Sequence, residues 1–278
     1  MPELPEVEIV RRGIEGTAFG RRVEGVIYYR ADLRYPLPVD LPALLKGRRF
    51  ESFQRRGKYI LAFTDHGHGF VLHLGMSGVI KIIPAGEAYS RGKHDHVEFC
   101  LDDGARLMFN DPRRFGFLRA ARRDDWAAQK PFDTMGPEPL GNDFNGPALW
   151  AALAGRKTPI KTALLDQGVV AGLGNIYVCE ALFMAGIDPR RFAGDLSLAE
   201  CDVLAGAIVD VLQRAIESGG SSLRDYYHAD GSLGYFQHSF QVYDREGHAC
   251  PRCQSDSAAV LRMKQAGRSS FYCPSCQV

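Results

Sequence analysis

Near the start of the chain, Val7, Val10 and Ile14 fall at i, i+3 and i+7, a spacing that predicts a helix with one buried face. Pro5 suits the first position of that helix, where a missing N–H costs nothing. Glu6 and Glu8 would complement its positive end. Across residues 20–120 the period changes. VEGVIYYR, YILAFTD, GFVLHLGMSG, HVEFCLDDGARLMFND and FGFLRA are short apolar or alternating runs separated by Gly, Asp or Asn, the pattern of a sandwich or barrel-like β domain. The DDG inside the fourth run predicts a hairpin. The pattern shifts again near residue 123, and TMGPEPLGNDFNGP (134–147) reads as a linker.

From residue 148 to about 218 the spacing is helical. ALWAALAG, PIKTALLDQ, IYVCEALFMAG and LSLAECDVLAGAIVDVLQRAIESG each carry an apolar face. GVVAGLGN lies between the second and third, with Asn175 at a candidate N-cap. A loop rich in Tyr, His, Asp and Gly follows residue 222, and the last forty residues hold two cysteine pairs. The expected fold is therefore α+β, with segments 1–133, 134–238 and 239–278 and no internal repeat.

Composition adds limits. At 278 residues, 45% hydrophobic and 24% charged, the chain has the make-up of a soluble globular protein. Its acidic start lacks the basic and apolar regions of a secretory signal, and no apolar run approaches a membrane span, so a cytoplasmic protein is expected. A formal net charge of +1 gives no global case for a nucleic-acid partner. Basic residues do cluster, at Arg48, Arg49, Arg55, Arg56 and Lys58 and again at Arg113, Arg114, Arg119, Arg122 and Arg123. Such clusters are either solvated faces or phosphate-binding stripes.

Cys250-Pro-Arg-Cys253 and Cys273-Pro-Ser-Cys276 are separated by nineteen residues. Without an export signal this is zinc spacing rather than a disulfide ladder. Four thiolates would close a tetrahedral shell, so the expected cofactor is one structural zinc ion. Cys100, Cys179 and Cys201 are scattered and read as buried thiols. Arg268 lies five residues before a ligand, where a metal-held loop could present it to a phosphate. A plain structural staple is the alternative.

Several other stretches carry candidate chemistry beside an ordinary reading. GLGN is a capped turn or, through free N–H groups at a helix start, an anion site. HLGMSG, with His73 and Met76, and NDPRRFGF, with Arg113 and Phe115, combine residues that singly would be core or surface. Pro2 is the most specific. With Met1 removed it carries a secondary amine, and an α-amino pKa near ~7.7–8.0 against ~10.4 for lysine leaves a neutral fraction near pH 7 roughly hundreds of times larger. Such an amine attacks a carbonyl-like carbon to give a Schiff base, with Glu3 beside it to pass protons.

PELPEVE, RRGKY, HLGMSG, KHDHVEF, NDPRRFG, VVAGLGNIYVCEALF, FQHSFQVYDREG and GRSSFYCPSCQ occur in order along the chain. Together they closely resemble the bacterial formamidopyrimidine-DNA glycosylases. The resemblance implies a helix followed by a β-sandwich, then a helix-two-turns-helix domain with a C-terminal zinc finger, and DNA bound in the cleft between the two. It implies a monomeric base-excision repair enzyme acting on 8-oxoguanine and formamidopyrimidines in duplex DNA, both glycosylase and abasic-site lyase. Pro2 would be the nucleophile, Glu3 the proton donor, Glu6 a tuning residue, and Lys58 and Arg268 proton-transfer or phosphate residues. Met76, Arg113 and Phe115 would fill the space left by a flipped nucleotide. His73, His94, Lys157 and Asn175 would hold the DNA backbone, and SSLRDYYHADGSLGY resembles a lid over the flipped base. The spacer between the cysteine pairs is longer than in many members, which makes the presentation of Arg268 a question for the structure. An endonuclease VIII-like enzyme for oxidised pyrimidines is the nearest rival. A non-catalytic DNA-binding module is a further one, although it would be expected to lose Pro2, Glu3 or Lys58 and all three are present, and a zinc-stapled structural protein is another, although it leaves the N-terminal pattern unexplained.

Overall fold

Residues 2–221, 234–253 and 259–278 are described by the computed structural model. They group into two compact units, Met1–Asp133 with Ser218–Tyr235, and Thr134–Glu217 with Phe236–Val278.

The first unit begins with α1 (Leu4–Ala18), which buries Leu4, Val7, Val10, Ile14 and Ala18 along one stripe. Glu3 is its N-cap, so Pro5 occupies the second helical position rather than the first. Glu8 does not serve the helix end. Burial alone would raise its pKa, but pairing with Arg11, Arg12 and Arg55 outweighs burial and holds the carboxyl below the usual range. Arg55 is thereby removed from the basic stripe.

Eight strands follow, β1 (Val23–Tyr28), β2 (Phe50–Arg56), β3 (Tyr59–Thr64), β4 (His68–His73), β5 (Val79–Ile83), β6 (Asp95–Leu101), β7 (Arg106–Asn110) and β8 (Phe117–Arg122), with a short helix α2 (Leu41–Leu45) after β1. They form two antiparallel sheets, ordered β1-β6-β7-β5 and β2-β3-β4-β8. One core joins them: Val26, Ile80, Val97, Phe99 and Leu107 from the first sheet pack with Phe53, Ile60, Ala62, Phe70, Leu72 and Leu118 from the second, and α1 adds Val10 and Ile14. The Phe70 and Phe99 rings meet across the layers at 5.0 Å. This is the expected sandwich. Strands β2 and β5 escape a reading by apolar runs because FESFQRR and VIKII carry charges or are very short, and only sheet pairing defines them. The DDG hairpin forms, with Gly104 at φ 87°.

The second unit contains α3 (Gly146–Leu153), α4 (Ile160–Leu164), α5 (Asn175–Ala185), α6 (Leu198–Glu217) and a hairpin of β9 (Leu261–Gln265) and β10 (Arg268–Tyr272). Helix α5 is buried on nearly every face, from Ile176 to Phe183. The stretch expected as a free linker is fastened here, Gly136 N–H bonding to the Gln167 carbonyl and Ala171 N–H to that of Pro137.

The cysteine-bearing segment does not stand apart as a third body. Cys179 and Phe183 of α5 share a core with Val242, Cys250, Val260, Phe271 and Cys273, because so small a module has too little apolar surface of its own. Residues 218–221, expected with the helices, group with the first unit instead, where Ser221 bonds to Glu6.

Among the described residues no helix is long and apolar enough to cross a membrane.

Candidate active site

At the head of α1, Pro2 is buried and Glu3 is 2% exposed. Glu3 and Glu6 form a capping box, in which the backbone N–H of Glu3 donates to the Glu6 carboxylate at 2.9 Å. The other oxygen of Glu6 accepts from Ser221 twice, from its N–H at 2.9 Å and its hydroxyl at 3.0 Å. Glu6 is therefore a buried anchor that fixes the backbone immediately after Pro2. The lid-like stretch runs on from Ser221, but residues 222–233 lie outside the described residues.

Lys58 is half-buried in the two-residue turn between β2 and β3, where Arg56 and Tyr59 form the last pair. Gly57 precedes it at φ 55°, a conformation this hairpin turn requires and other residues resist. Tyr59 pairs in turn with His73 on β4. The His73 ring stacks on Phe117 at 5.4 Å, and burial, with Lys58 and Arg34 nearby, pushes its pKa down to about 4. The ring is thus neutral at physiological pH. Its Nδ1 accepts from Gly75 N–H at 3.0 Å, which leaves Nε2 as the donor.

Met76 and Phe115 are large apolar side chains left 39% and 45% exposed. Arg113 is exposed beside them, its guanidinium 5.0 Å over the Phe115 ring. Two loops bring these residues together, and Asp111, fully buried, laces the loops. Its Oδ1 accepts from the Ser77 hydroxyl at 2.9 Å and its Oδ2 from Gly116 N–H at 2.8 Å. Arg113 N–H bonds to Ser77 Oγ in turn. At Gly75 a Cβ would sit 2.3 Å from the Gly116 nitrogen, so the loops touch only because Gly75 lacks a side chain. His94 is half-buried, and its carbonyl accepts from Asp111 N–H. Asp95, next to it and fully buried, gathers Lys81, Asn110, Tyr89 and Gly92 N–H around one carboxylate.

In the second unit, Lys157 is exposed on the loop after α3. Asn175 is the first residue of α5 and Gly174 is its N-cap, a shift of one from the expected position. The Asn175 side chain is not spent on capping. Its amide donates to the Ser269 carbonyl at 2.9 Å, and so does the amine of Lys161. Gln167 shapes the preceding turn, accepting from Gly172 N–H and donating to the carbonyls of Leu165 and Leu173. Arg268 is exposed at the first position of β10, paired with Gln265 across an Ala266-Gly267 turn with φ 46° and 78°. The hairpin that carries it is intact despite the long spacer.

The four cysteines converge, their sulfurs all within 4.8 Å of one another. Sγ separations are 2.8 Å for Cys253–Cys276, 3.5 Å for Cys253–Cys273 and 3.8 Å for Cys250–Cys276. A tetrahedron with metal–sulfur bonds near ~2.3 Å has edges of about 3.8 Å, so the donor set can hold one metal ion. Glu180, buried on α5, braces the approach to this module by accepting from the N–H groups of Gln241, Val242 and Tyr243. Burial raises its pKa against those three bonds.

Sequence reasoning missed Ser77, Asp111, Lys161, Gln167, Glu180 and Ser221. All six stood inside quoted stretches. Nothing in the sequence, however, pairs a buried acid with a hydroxyl thirty-four positions away.

Residues 1–118 match the family model for the formamidopyrimidine-DNA glycosylase N-terminal domain, and residues 135–227 match that for the formamidopyrimidine-DNA glycosylase H2TH domain. The chain is 52% identical to the formamidopyrimidine-DNA glycosylase of Ruegeria pomeroyi and 53% identical to that of Dinoroseobacter shibae, with all of both chains covered in each case. Among solved structures, it resembles a Lactococcus lactis Fpg variant in complex with Fapy-dG-containing DNA (TM-score 0.90, 34% identity, 99% of each chain). It also resembles the MutM (Fpg) protein of Thermus thermophilus (TM-score 0.87, 40% identity, 99% of this chain and 98% of that one). With both family models matched in order and full-length relatives above half identity, the chain belongs to the formamidopyrimidine-DNA glycosylase family.

Proposed function

We propose that this protein excises oxidised purines from duplex DNA and then cuts the strand at the resulting abasic site, using Pro2 as nucleophile. The observation that carries the reading is the Glu3–Glu6 lock directly behind Pro2. Once Met1 is removed, the secondary amine of Pro2 sits at the head of α1, directly before Glu3. The amine attacks the sugar C1′, the bond from C1′ to the base breaks, and the N–H proton given up by the amine leaves with the base. Glu3 supplies the proton to the sugar as the ring opens and the imine forms. That imine acidifies the C2′ proton, so the 3′ and then the 5′ phosphate leave by β- and δ-elimination. Glu6, with its carboxylate committed to backbone and hydroxyl donors, positions Pro2 and Glu3 and moves no proton itself.

A base within the duplex is out of reach, so the nucleotide must be extruded. Met76 and Phe115, exposed and braced from below, are the wedge, and Arg113 stacked on Phe115 adds a donor for the orphaned partner base. Lys58, the neutral His73 through Nε2–H, His94, Lys157, Asn175 and Arg268 bind phosphates. The metal is zinc, held by Cys250, Cys253, Cys273 and Cys276. When bound it supplies a structural cross-link and no open coordination position. Acting as a monomer on chromosomal DNA places the work in the cytoplasm.

Borohydride trapping tests the reading. Protein lacking Met1 should form a covalent adduct with duplex DNA carrying 8-oxoguanine opposite cytosine, and protein retaining Met1 should not, because its Pro2 nitrogen is an amide. Absence of any adduct from the processed protein sinks the Schiff-base route. A stronger adduct with oxidised thymine would move the substrate to pyrimidines.

A further inference from the structure

Lys161 is among the largest fully buried side chains of the protein, with 0% exposure. A buried amine is costly, and an apolar side chain of similar volume would pack a helix such as α4 more favourably. The amine donates to the Ser269 carbonyl at 2.9 Å. The Asn175 amide reaches the same oxygen at 2.9 Å from the start of α5. Ser269 directly follows Arg268, and the two donors come from different helices, so the peptide behind Arg268 is held from two directions. The next residue is held as well: Ser270 is buried, and its hydroxyl donates to the Gln265 side chain, which itself bonds to the Pro189 carbonyl.

We infer that Lys161 is a positioning residue for Arg268: its buried amine fixes the Ser269 carbonyl, and through it the direction in which the finger presents the Arg268 guanidinium to a DNA phosphate. Lys161 touches no DNA itself. It acts by limiting the rotation of the Arg268–Ser269 backbone, which a two-residue turn alone leaves freer. Asn175 is thereby drawn into the same joint, since the amide that would meet the DNA backbone also braces the finger.

The inference rests on the phosphate role read for Arg268, and the two can fail separately. Binding of the zinc-loaded protein to a duplex containing a tetrahydrofuran abasic-site analogue is measured over a salt series. Arg268→Ala should lower the slope of log K against log salt by about 0.9, one phosphate contact. If it leaves the slope unchanged, the phosphate role is wrong whatever Lys161 does. Lys161→Met should lower the slope by a similar amount and weaken binding about three- to tenfold, with one zinc still bound, and the double variant should bind within about twofold of Arg268→Ala alone. Lys161→Gln, which keeps a donor on a shorter arm, should fall between wild type and Lys161→Met. A Lys161→Met protein that melts earlier but keeps the wild-type slope overturns the inference, as do penalties that multiply in the double variant. Loss of zinc from both Lys161 variants also overturns it, because the lysine would then support the whole module.

Discussion

Ser221 lies 215 positions from Glu6, yet it donates both its N–H and its hydroxyl to one oxygen of the Glu6 carboxylate. The second oxygen holds the N–H of Glu3, so one side chain joins the residue after Pro2, the proposed nucleophile, to the start of the lid-like stretch.

Glu6→Gln should therefore damage chemistry more than binding. An amide offers one acceptor and two donors, so it must turn an N–H against either Glu3 or Ser221. Each buried donor left unmatched costs about 1–3 kcal/mol. Trapping on 8-oxoguanine DNA should slow more than about tenfold, equivalent to about 1.4 kcal/mol in the barrier, while affinity for tetrahydrofuran DNA changes little. Ser221→Ala, which removes only the hydroxyl bond, should cost about 1 kcal/mol in urea unfolding.

Asp111→Ala should separate base excision from strand cutting. It strands Gly116 N–H and the Ser77 hydroxyl in a buried place and loosens the loops that carry Met76 and Phe115, at a cost of about 2–4 kcal/mol in stability. On the proposed wedge role of Met76 and Phe115, excision of 8-oxoguanine should fall steeply. Cleavage of a preformed abasic site, which has no base to displace, should fall less. Equal losses in the two assays would contradict the bracing role.

Protonation of His73 sets a pH limit on stability. Its pKa falls from the ordinary 6.5 to about 4 on folding, so between those values the unfolded chain binds more protons. Stability is then highest above pH 6.5 and declines as pH falls towards 4, by at most roughly 3 kcal/mol from this group. Urea midpoints at pH 5 and pH 7.5 should differ less in His73→Gln than in wild type, after correction for other groups common to both.

Removing the metal should undo the finger without unfolding the β-sandwich. Treatment with a strong chelator should release one zinc per chain by mass spectrometry and expose Phe271 and Val260 of the shared core. DNA affinity should drop with it, and Cys276→Ser should reproduce the loss.

By itself, the sequence determined the parts of this protein whose signals are local or are read as strings. The apolar stripe of α1, the alternating runs of the sandwich, the helical spacing after residue 148 and the two cysteine pairs all follow from periodicity or fixed spacing. The eight motifs carried the family. Only the tertiary structure decided how those parts are held. FESFQRR became a strand because its neighbours supplied a ladder. Glu8, which looked like helix-end chemistry, was claimed by Arg55 from forty-seven positions away. Nothing in the sequence sets Asp111, Lys161 and Glu180 apart from other charged residues, and burial makes each an anchor. The physical reason is common to all three. A buried polar group must find its partner, and that partner is fixed by chain packing in space rather than by any spacing along the chain.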